Sequence, residues 1–267
     1  MREISKLVAL AGGIAFAASL AYGADQMLLG KSLTVKDPTA GVDPSKRSIK
    51  GSAKEKGSSS PLVGNPTLFG SAGGALLDIF ANGTHSTSQE FVLPQGEISH
   101  GKFFWSVIGT AQNISGYKYK DNRGANHTPV KSVLINKSAN GAFSIKVKLA
   151  GKNGTIDVVP PDSGISGCMA LKLGQSAAAG DRYSVAFGTE SKIKNVDAKV
   201  FSAMKPTNEG ICPLVVVTTT TTTTTVATSS STTSSSTTTT HASSTTTTTM
   251  YGSPSRAFLE RVEGLLD

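Results

Sequence analysis

The sequence predicts an all-β protein whose body folds as an antiparallel β-sandwich or a barrel-like sheet. Short segments with apolar residues at alternate positions recur between residues 31 and 201, and a period of two is typical of half-buried strands. Tight-turn dipeptides such as Asn140-Gly141 and Asn153-Gly154 lie between these segments and favour short connections. No body segment keeps the 3.6-residue apolar period of an amphipathic helix. Many short strands with Gly-rich turns indicate a sandwich or barrel.

The first 23 residues have the pattern of an export signal. Arg2 and Lys6 supply positive charge, Leu7–Leu20 is apolar apart from Gly and Ser, and Ala21-Tyr22-Gly23 places small residues at a cleavage site. The apolar run is shorter than the roughly 20 residues that span a bilayer. We therefore expect a cleaved signal peptide (residues 1–23), a secreted or cell-surface protein and no transmembrane span in the mature chain; an uncleaved anchor is the alternative.

Twelve segments of the body are predicted strands, because each has apolar residues at alternate positions or in a short apolar run. They are Lys31–Lys36, Lys46–Ala53, Ala75–Phe80, Gln89–Leu93, Phe103–Ile108, Gly116–Lys120, Val130–Asn136, Ala142–Leu149, Thr155–Val159, Cys168–Leu173, Arg182–Phe187 and Ala198–Phe201.

The pattern is clearest in Ala142–Leu149, where four apolar residues alternate with Ser144, Lys146 and Lys148. One face of this strand should be buried and the other solvated. Asn140-Gly141 and Asn153-Gly154 are each predicted to join two neighbouring strands as a hairpin.

The chain divides into a body, a linker and a tail. Residues 24–213 form the β body, either one domain or two subdomains that split near residue 151. Residues 214–252 form a disordered linker, because 28 of the 32 residues in Thr218–Thr249 are Ser or Thr and cannot build a core. Residues 253–267 predict a short amphipathic helix with Pro254 at its first turn. Such a short helix is marginal alone, so we expect it to dock on another protein; the alternative is that it is the first helix of a further domain.

The body is basic, and lysines account for most of the excess. The whole chain has 26 Lys and Arg, 18 Asp and Glu, and a net charge of +8. The lysines are spread among predicted strands rather than clustered with aromatic residues. They favour either a solvated surface that protects strand edges from aggregation or attraction to surface glycans and other anionic polymers. We expect no specific nucleic-acid binding.

Two cysteines, Cys168 and Cys212, occur in a chain that is predicted to be exported. Oxidising compartments favour a disulfide between them, and two free thiols are the alternative. The body histidines have no ligand-like spacing to either cysteine, so neither a metal site nor any other cofactor is predicted.

No catalytic residues are predicted. The sequence has no Gly-x-Ser-x-Gly motif, and the loop Asp162–Gly167 is interpreted as a turn before a strand. His85, His100 and His127 each lie in a polar turn and have no evident partner. Asp37, Asp43 and Asp121 are similarly interpreted as turn formers rather than Ca²⁺ ligands.

Three aromatic residues are the candidate ligand-binding residues. Trp105 lies in one predicted strand, and Tyr117 and Tyr119 share one face of another. If all three were exposed together, they would form a platform on which sugar rings stack. The alternative is that Trp105 belongs to the core and the tyrosines edge it with solvated hydroxyls.

Five segments resemble an uncharacterised β-rich module of secreted proteins from environmental bacteria. They are Leu33–Pro38, Asp43–Arg47, Gly64–Leu68, Gly116–Asp121 and Pro129–Ile135. The resemblance extends over most of Leu33–Pro213 and implies export and a β fold. The resemblance implies no catalytic residues.

These expectations favour a non-enzymatic, secreted or cell-surface β module that acts in adhesion or in glycan and polymer binding. One alternative is an accessory region of an extracellular hydrolase whose catalytic domain is separate. Another is a structural envelope or matrix protein.

Overall fold

A computed structural model describes residues 23–99, 101–175 and 180–213. The predicted signal peptide up to Tyr22, the whole predicted linker and the predicted tail helix lie outside these ranges, as does His100. The described residues form fifteen strands: β1 (Asp25–Met27), β2 (Gly30–Lys36), β3 (Ser48–Glu55), β4 (Ala75–Asn82), β5 (Thr87–Leu93), β6 (Glu97–Ser99), β7 (Lys102–Phe103), β8 (Trp105–Thr110), β9 (Asn113–Lys120), β10 (Val130–Lys137), β11 (Phe143–Ala150), β12 (Ser166–Leu173), β13 (Arg182–Phe187), β14 (Lys192–Val196) and β15 (Val200–Met204).

The strands form two large sheets and one short hairpin. The five-stranded sheet has the order β1-β13-β12-β4-β5, and the eight-stranded sheet has the order β14-β15-β2-β3-β11-β10-β9-β8. Their neighbouring strands are antiparallel, except that β1 runs parallel to β13. The predicted antiparallel β class is confirmed. Among the described residues, no helix has the length and apolarity needed to cross a bilayer.

The inner faces of the two sheets share one hydrophobic core. Leu33 and Val147 of the larger sheet and Leu77 and Leu171 of the smaller one are all at most 1% exposed and belong to the same cluster. The sheets approach closely at Gly51, where an added Cβ would lie 2.5 Å from the Met169 sulfur. Two sheets packed face to face around alternating residues are consistent with the predicted β-sandwich.

The body does not split near residue 151. Each large sheet contains strands from both sides of that position, because β12 and β13 complete the smaller sheet while β14 and β15 complete the larger. The shared core extends from Leu28 to Ala203. Gly151 lies instead in one turn of 3-10 helix, Gly151–Asn153.

The hairpin predicted at Asn140-Gly141 is confirmed. It joins β10 to β11, which pair antiparallel, and Gly141 adopts φ 79°, a conformation that glycine tolerates without steric cost. In β11 the alternating residues Phe143, Ile145, Val147 and Leu149 are buried, while Lys146 and Lys148 are exposed.

The predicted strand Thr155–Val159 and its hairpin at Asn153-Gly154 are wrong. This segment forms no strand, although Ile156 and Val158 are fully buried. Side chains of β5 bind its backbone instead: the Gln89 side chain bonds to Thr155 O and Asp157 N, and the Thr87 hydroxyl bonds to Val159. The alternation correctly predicted burial, but side chains replace the backbone ladder that defines a strand.

Near the end of the body, one strand boundary differs from the prediction and one further strand is present. The predicted strand Ala198–Phe201 begins later, at Val200, because Asp197 and Ala198 have positive φ values and form the turn between β14 and β15. The strand Lys192–Val196 was not predicted from the sequence. It has only two apolar residues, and it forms because it pairs with β15 at the sheet edge.

Candidate functional site

The outer face of the eight-stranded sheet has a high density of lysines. Nine outward-pointing lysines lie on its strands, and all nine are exposed. We call this surface the lysine face. Its lysines are Lys36, Lys50, Lys54, Lys118, Lys120, Lys146, Lys148, Lys192 and Lys194.

Strand register brings these lysines together. Lys50 on β3 is directly opposite Lys148 on β11, and Lys148 is opposite Ser132, which is in turn opposite Lys120. Along β11, Lys146 lies two residues before Lys148, a separation of about 7 Å in an extended strand. Like charges placed directly opposite each other destabilise a sheet. The fold therefore tolerates an unfavourable concentration of positive charge here.

Carboxylates are nearly absent from the strands of this sheet. The one acidic residue in them is Glu55 at the end of β3, where its Oε1 accepts a hydrogen bond from Leu29 N at 2.6 Å. The ion pairs of the described residues lie elsewhere and involve Lys46, Arg47 and Arg182. None of the nine lysines has a carboxylate within ion-pair distance among the described residues.

Hydroxyl groups fill much of the space between the lysines. Ser32 and Ser52 hydrogen bond to each other across β2 and β3 at 2.8 Å, and Thr34 bonds to Ser202 across β2 and β15 at 3.0 Å. These pairs lie in the same outward rows as the lysines. The surface is therefore broad and polar, and it offers ammonium and hydroxyl donors.

The predicted aromatic platform is wrong. Trp105 and Tyr117 are each 4% exposed and Tyr119 is 0% exposed, so none can stack against a ligand at the surface. The register places Tyr119 opposite both Trp105 and the core residue Val133. The rings of Trp105 and Tyr119 pack at 5.3 Å between centroids. All three residues extend the core at the β8–β9 end of the sheet.

The disulfide between Cys168 and Cys212 is confirmed. It fixes residues 210–213, which we call the C-terminal strap, against the outer face of the five-stranded sheet. Arg182 on β13 holds the same strap, since its Nη1 donates to Cys212 O at 2.8 Å and its Nη2 to Pro213 O at 3.0 Å. The described body therefore ends on the sheet opposite the lysine face.

A buried ion pair lies beside the strap. Asp78 Oδ2 is 3.6 Å from Arg182 Nη2, and both side chains are about nine-tenths buried. Burial raises the pKa of Asp78 to about 6, although the Arg182 charge opposes this shift. Burial likewise lowers the pKa of Lys172 on the neighbouring strand. No histidine, cysteine thiol or second buried acid of the described chain joins Asp78, so the pair does not form an acid–base dyad.

The other chemical candidates have structural roles. Asp37 accepts hydrogen bonds from Gly41 N and Arg47 Nε, Asp43 caps a 3-10 turn, and Asp121 accepts bonds from two backbone amides in its loop. His85 and His127 are exposed in turns. Within the described ranges, no three His, Cys, Asp or Glu side chains are grouped closely enough to hold a metal ion.

An open groove of about 440 Å³ lies at one end of the larger sheet. Residues of the β8–β9 turn, including Thr110 and Asn113, form one wall, and Lys137 and Ser138 after β10 form another. The Lys137 ammonium donates a hydrogen bond to Ser60 O at 2.6 Å, so a carbonyl dipole partly stabilises its charge. The groove is open, and apolar residues such as Leu62 and Ile114 line it together with the polar ones.

Comparison of the chain with models of protein families, with curated proteins and with solved structures found no match. The resemblance to a secreted bacterial β-rich module therefore stays a prediction. The lysine face is the strongest candidate for a functional site on structural grounds.

Proposed function

We propose that this protein is a non-enzymatic, exported module that binds anionic polymers, such as acidic glycans of a cell surface, through its lysine face. The observation behind this proposal is the group of nine exposed lysines on one sheet face that also lacks carboxylates.

Protection of sheet edges accounts for only part of these lysines. Edge protection requires lysines on the outermost strands, and Lys192 and Lys194 on β14 fit that role. Lys50, Lys146 and Lys148 lie on β3 and β11, the two central strands of the sheet. Their charges repel one another across a fully paired ladder, so the cost to folding is better explained by attraction to an external anion.

The shape of the face favours an extended polymer over a small ligand. The lysines follow neighbouring strands about 4.8 Å apart and repeat about every 7 Å along a strand, so they are spread over an open sheet face. Lysine ammonium groups act as compact point charges without the planar fork of arginine. Binding should therefore depend on charge density, fall steeply with added salt and discriminate weakly between acidic polymers.

Retention of the full mature chain on immobilised polymers tests this function. We expect retention on a carboxylated polysaccharide such as polygalacturonate and on dextran sulfate, and none on neutral dextran. The face variant replaces Lys50, Lys146 and Lys148 with Gln. At about 1 kcal/mol per lysine near an anionic surface, its affinity should fall by at least about tenfold, with a shallower salt dependence.

A matched control removes three charges elsewhere. Lys102, Arg123 and Lys152 are exposed and lie outside the strands of the larger sheet, so their replacement with Gln gives the same net charge as the face variant. This control should keep most of the affinity. Equal losses in both variants, or no retention of the wild type on any acidic polysaccharide, would contradict the proposal. Retention on DNA alone would indicate that the ligand is a nucleic acid instead.

A further inference from the structure

The backbone nitrogen of Ala24 lies 2.9 Å from Asp181 Oδ1. The other oxygen of this carboxylate accepts a hydrogen bond from Gln26 Nε2 at 2.8 Å, and Asp181 is only 5% exposed. The sequence places the predicted signal cleavage site immediately before this nitrogen. A largely buried carboxylate therefore lies against the atom that would become the amino terminus of the mature chain.

We propose that the Gly23–Ala24 bond is a processing site and that cleavage creates an α-ammonium on Ala24 that forms an ion pair with Asp181. In the step, water adds across the peptide bond: the hydroxyl goes to the Gly23 carbonyl carbon, which leaves as a carboxylate. The released amine keeps its hydrogen, gains one from water and takes up a further proton at neutral pH. A signal peptidase is the class of enzyme that performs this hydrolysis.

The new terminus stays in place because β1 is fixed by other contacts. Asp25 pairs in parallel register with Arg182, and the Ala24 carbonyl accepts a hydrogen bond from Arg182 N at 3.0 Å. These contacts involve atoms on the C-terminal side of the cleaved bond. Cleavage therefore changes the donor to Asp181 from a neutral amide to a cation, and charge-assisted hydrogen bonds are roughly twice as strong as neutral ones.

Gly23 gives an independent sign of whether cleavage occurs. An added Cβ at this position would lie 1.8 Å from Gly180 O, so alanine cannot fit while residue 23 stays attached and docked. Signal peptidases accept Ala as well as Gly before the cleaved bond. Gly23→Ala should therefore have no effect on the exported mature protein, but it should weaken the docking of β1 in an uncleaved chain.

The first test is the intact mass and melting temperature of exported wild type and Gly23→Ala. We expect both chains to begin at Ala24 and to melt together. Cleavage at any other bond, or a lower melting temperature of an exported Gly23→Ala chain that retains residue 23, would overturn the proposal.

The second test compares a chain that begins at Ala24 with one that begins at Tyr22, each with and without Asp181→Asn. The substitution should raise the unfolding equilibrium constant about fivefold more in the Ala24 chain, because only that chain loses a charge pair. Asp162→Asn, in an exposed loop, should have the same small effect in both. If Asp181→Asn fails to fold, comparing the stability of the two chains that keep Asp181 tests the ion pair. The chain that begins at Ala24 should then be the more stable of the two. Equal effects of Asp181→Asn in the two chains, or equal stabilities of the two chains that keep Asp181, would overturn the proposed ion pair.

Discussion

Loss of the Cys168–Cys212 disulfide should destabilise the body substantially. The bond joins residues 44 positions apart, and the chain-entropy model assigns a cross-link of that length about 4 kcal/mol. Its loss also frees the C-terminal strap, so Cys212 O and Pro213 O no longer fix the Arg182 guanidinium. Without the bond, part of the strap can also detach in the folded protein, which offsets part of the entropy gained by the unfolded chain. We therefore expect the free energy of unfolding to fall by about 3 kcal/mol.

Urea unfolding of Cys168→Ser/Cys212→Ser measures this loss. With a slope of about 2 kcal/mol/M, the midpoint should fall by roughly 1.5 M. Wild type in reductant should match the variant, and the variant itself should not respond to reductant. A loss below about 1 kcal/mol would refute the reasoning, because it would mean that closing this loop hardly restricts the unfolded chain.

Three further predictions concern buried polar groups and the lysine face. Tyr183→Phe should lower the free energy of unfolding by about 1–2 kcal/mol, because the Tyr183 hydroxyl bonds to the backbone at residues 61 and 63. Tyr119→Phe should be nearly neutral, because the Tyr119 hydroxyl has no partner among the described residues. Chemical denaturation of both variants checks this contrast. The pKa of Asp78 is raised from 3.8 to about 6, so the folded state binds more protons than the unfolded state between those pH values. The free energy of unfolding should therefore fall by about 2–3 kcal/mol as pH rises through that window. Subtracting the stability–pH profile of Asp78→Asn from that of wild type isolates this effect, and parallel profiles would contradict it. Lys148→Thr should stabilise the sheet by about 0.2–1 kcal/mol by removing the like-charge pair with Lys50, and the gain in melting temperature should shrink at high salt.

Patterns within single segments predicted much of the fold. The alternation in β11 identified its buried and solvated faces, and Asn140-Gly141 identified the hairpin that follows β10. These predictions succeed because strand periodicity and turn chemistry act over a few residues. The prediction failed at Thr155–Val159, where side chains of β5, distant in sequence, satisfy the backbone.

The candidate site was only partly accessible from the sequence. Composition showed a basic body, and alternation placed Lys146 and Lys148 on the solvated face of one strand. It did not show that Lys50 lies opposite Lys148, since register depends on pairing between segments almost 100 residues apart. The spacing of Tyr117 and Tyr119 likewise showed that they share a face, but it could not show that this face is the buried one.

The sequence by itself determined the β class, the disulfide partners and the excess of lysine, because strand periodicity, two cysteines and net charge are local or compositional properties. The tertiary structure alone decided which strands are central, which aromatic residues enter the core and which lysines become neighbours. These outcomes depend on strand order and on the packing of one sheet against the other. Non-local pairing therefore turns a dispersed set of lysines into one face.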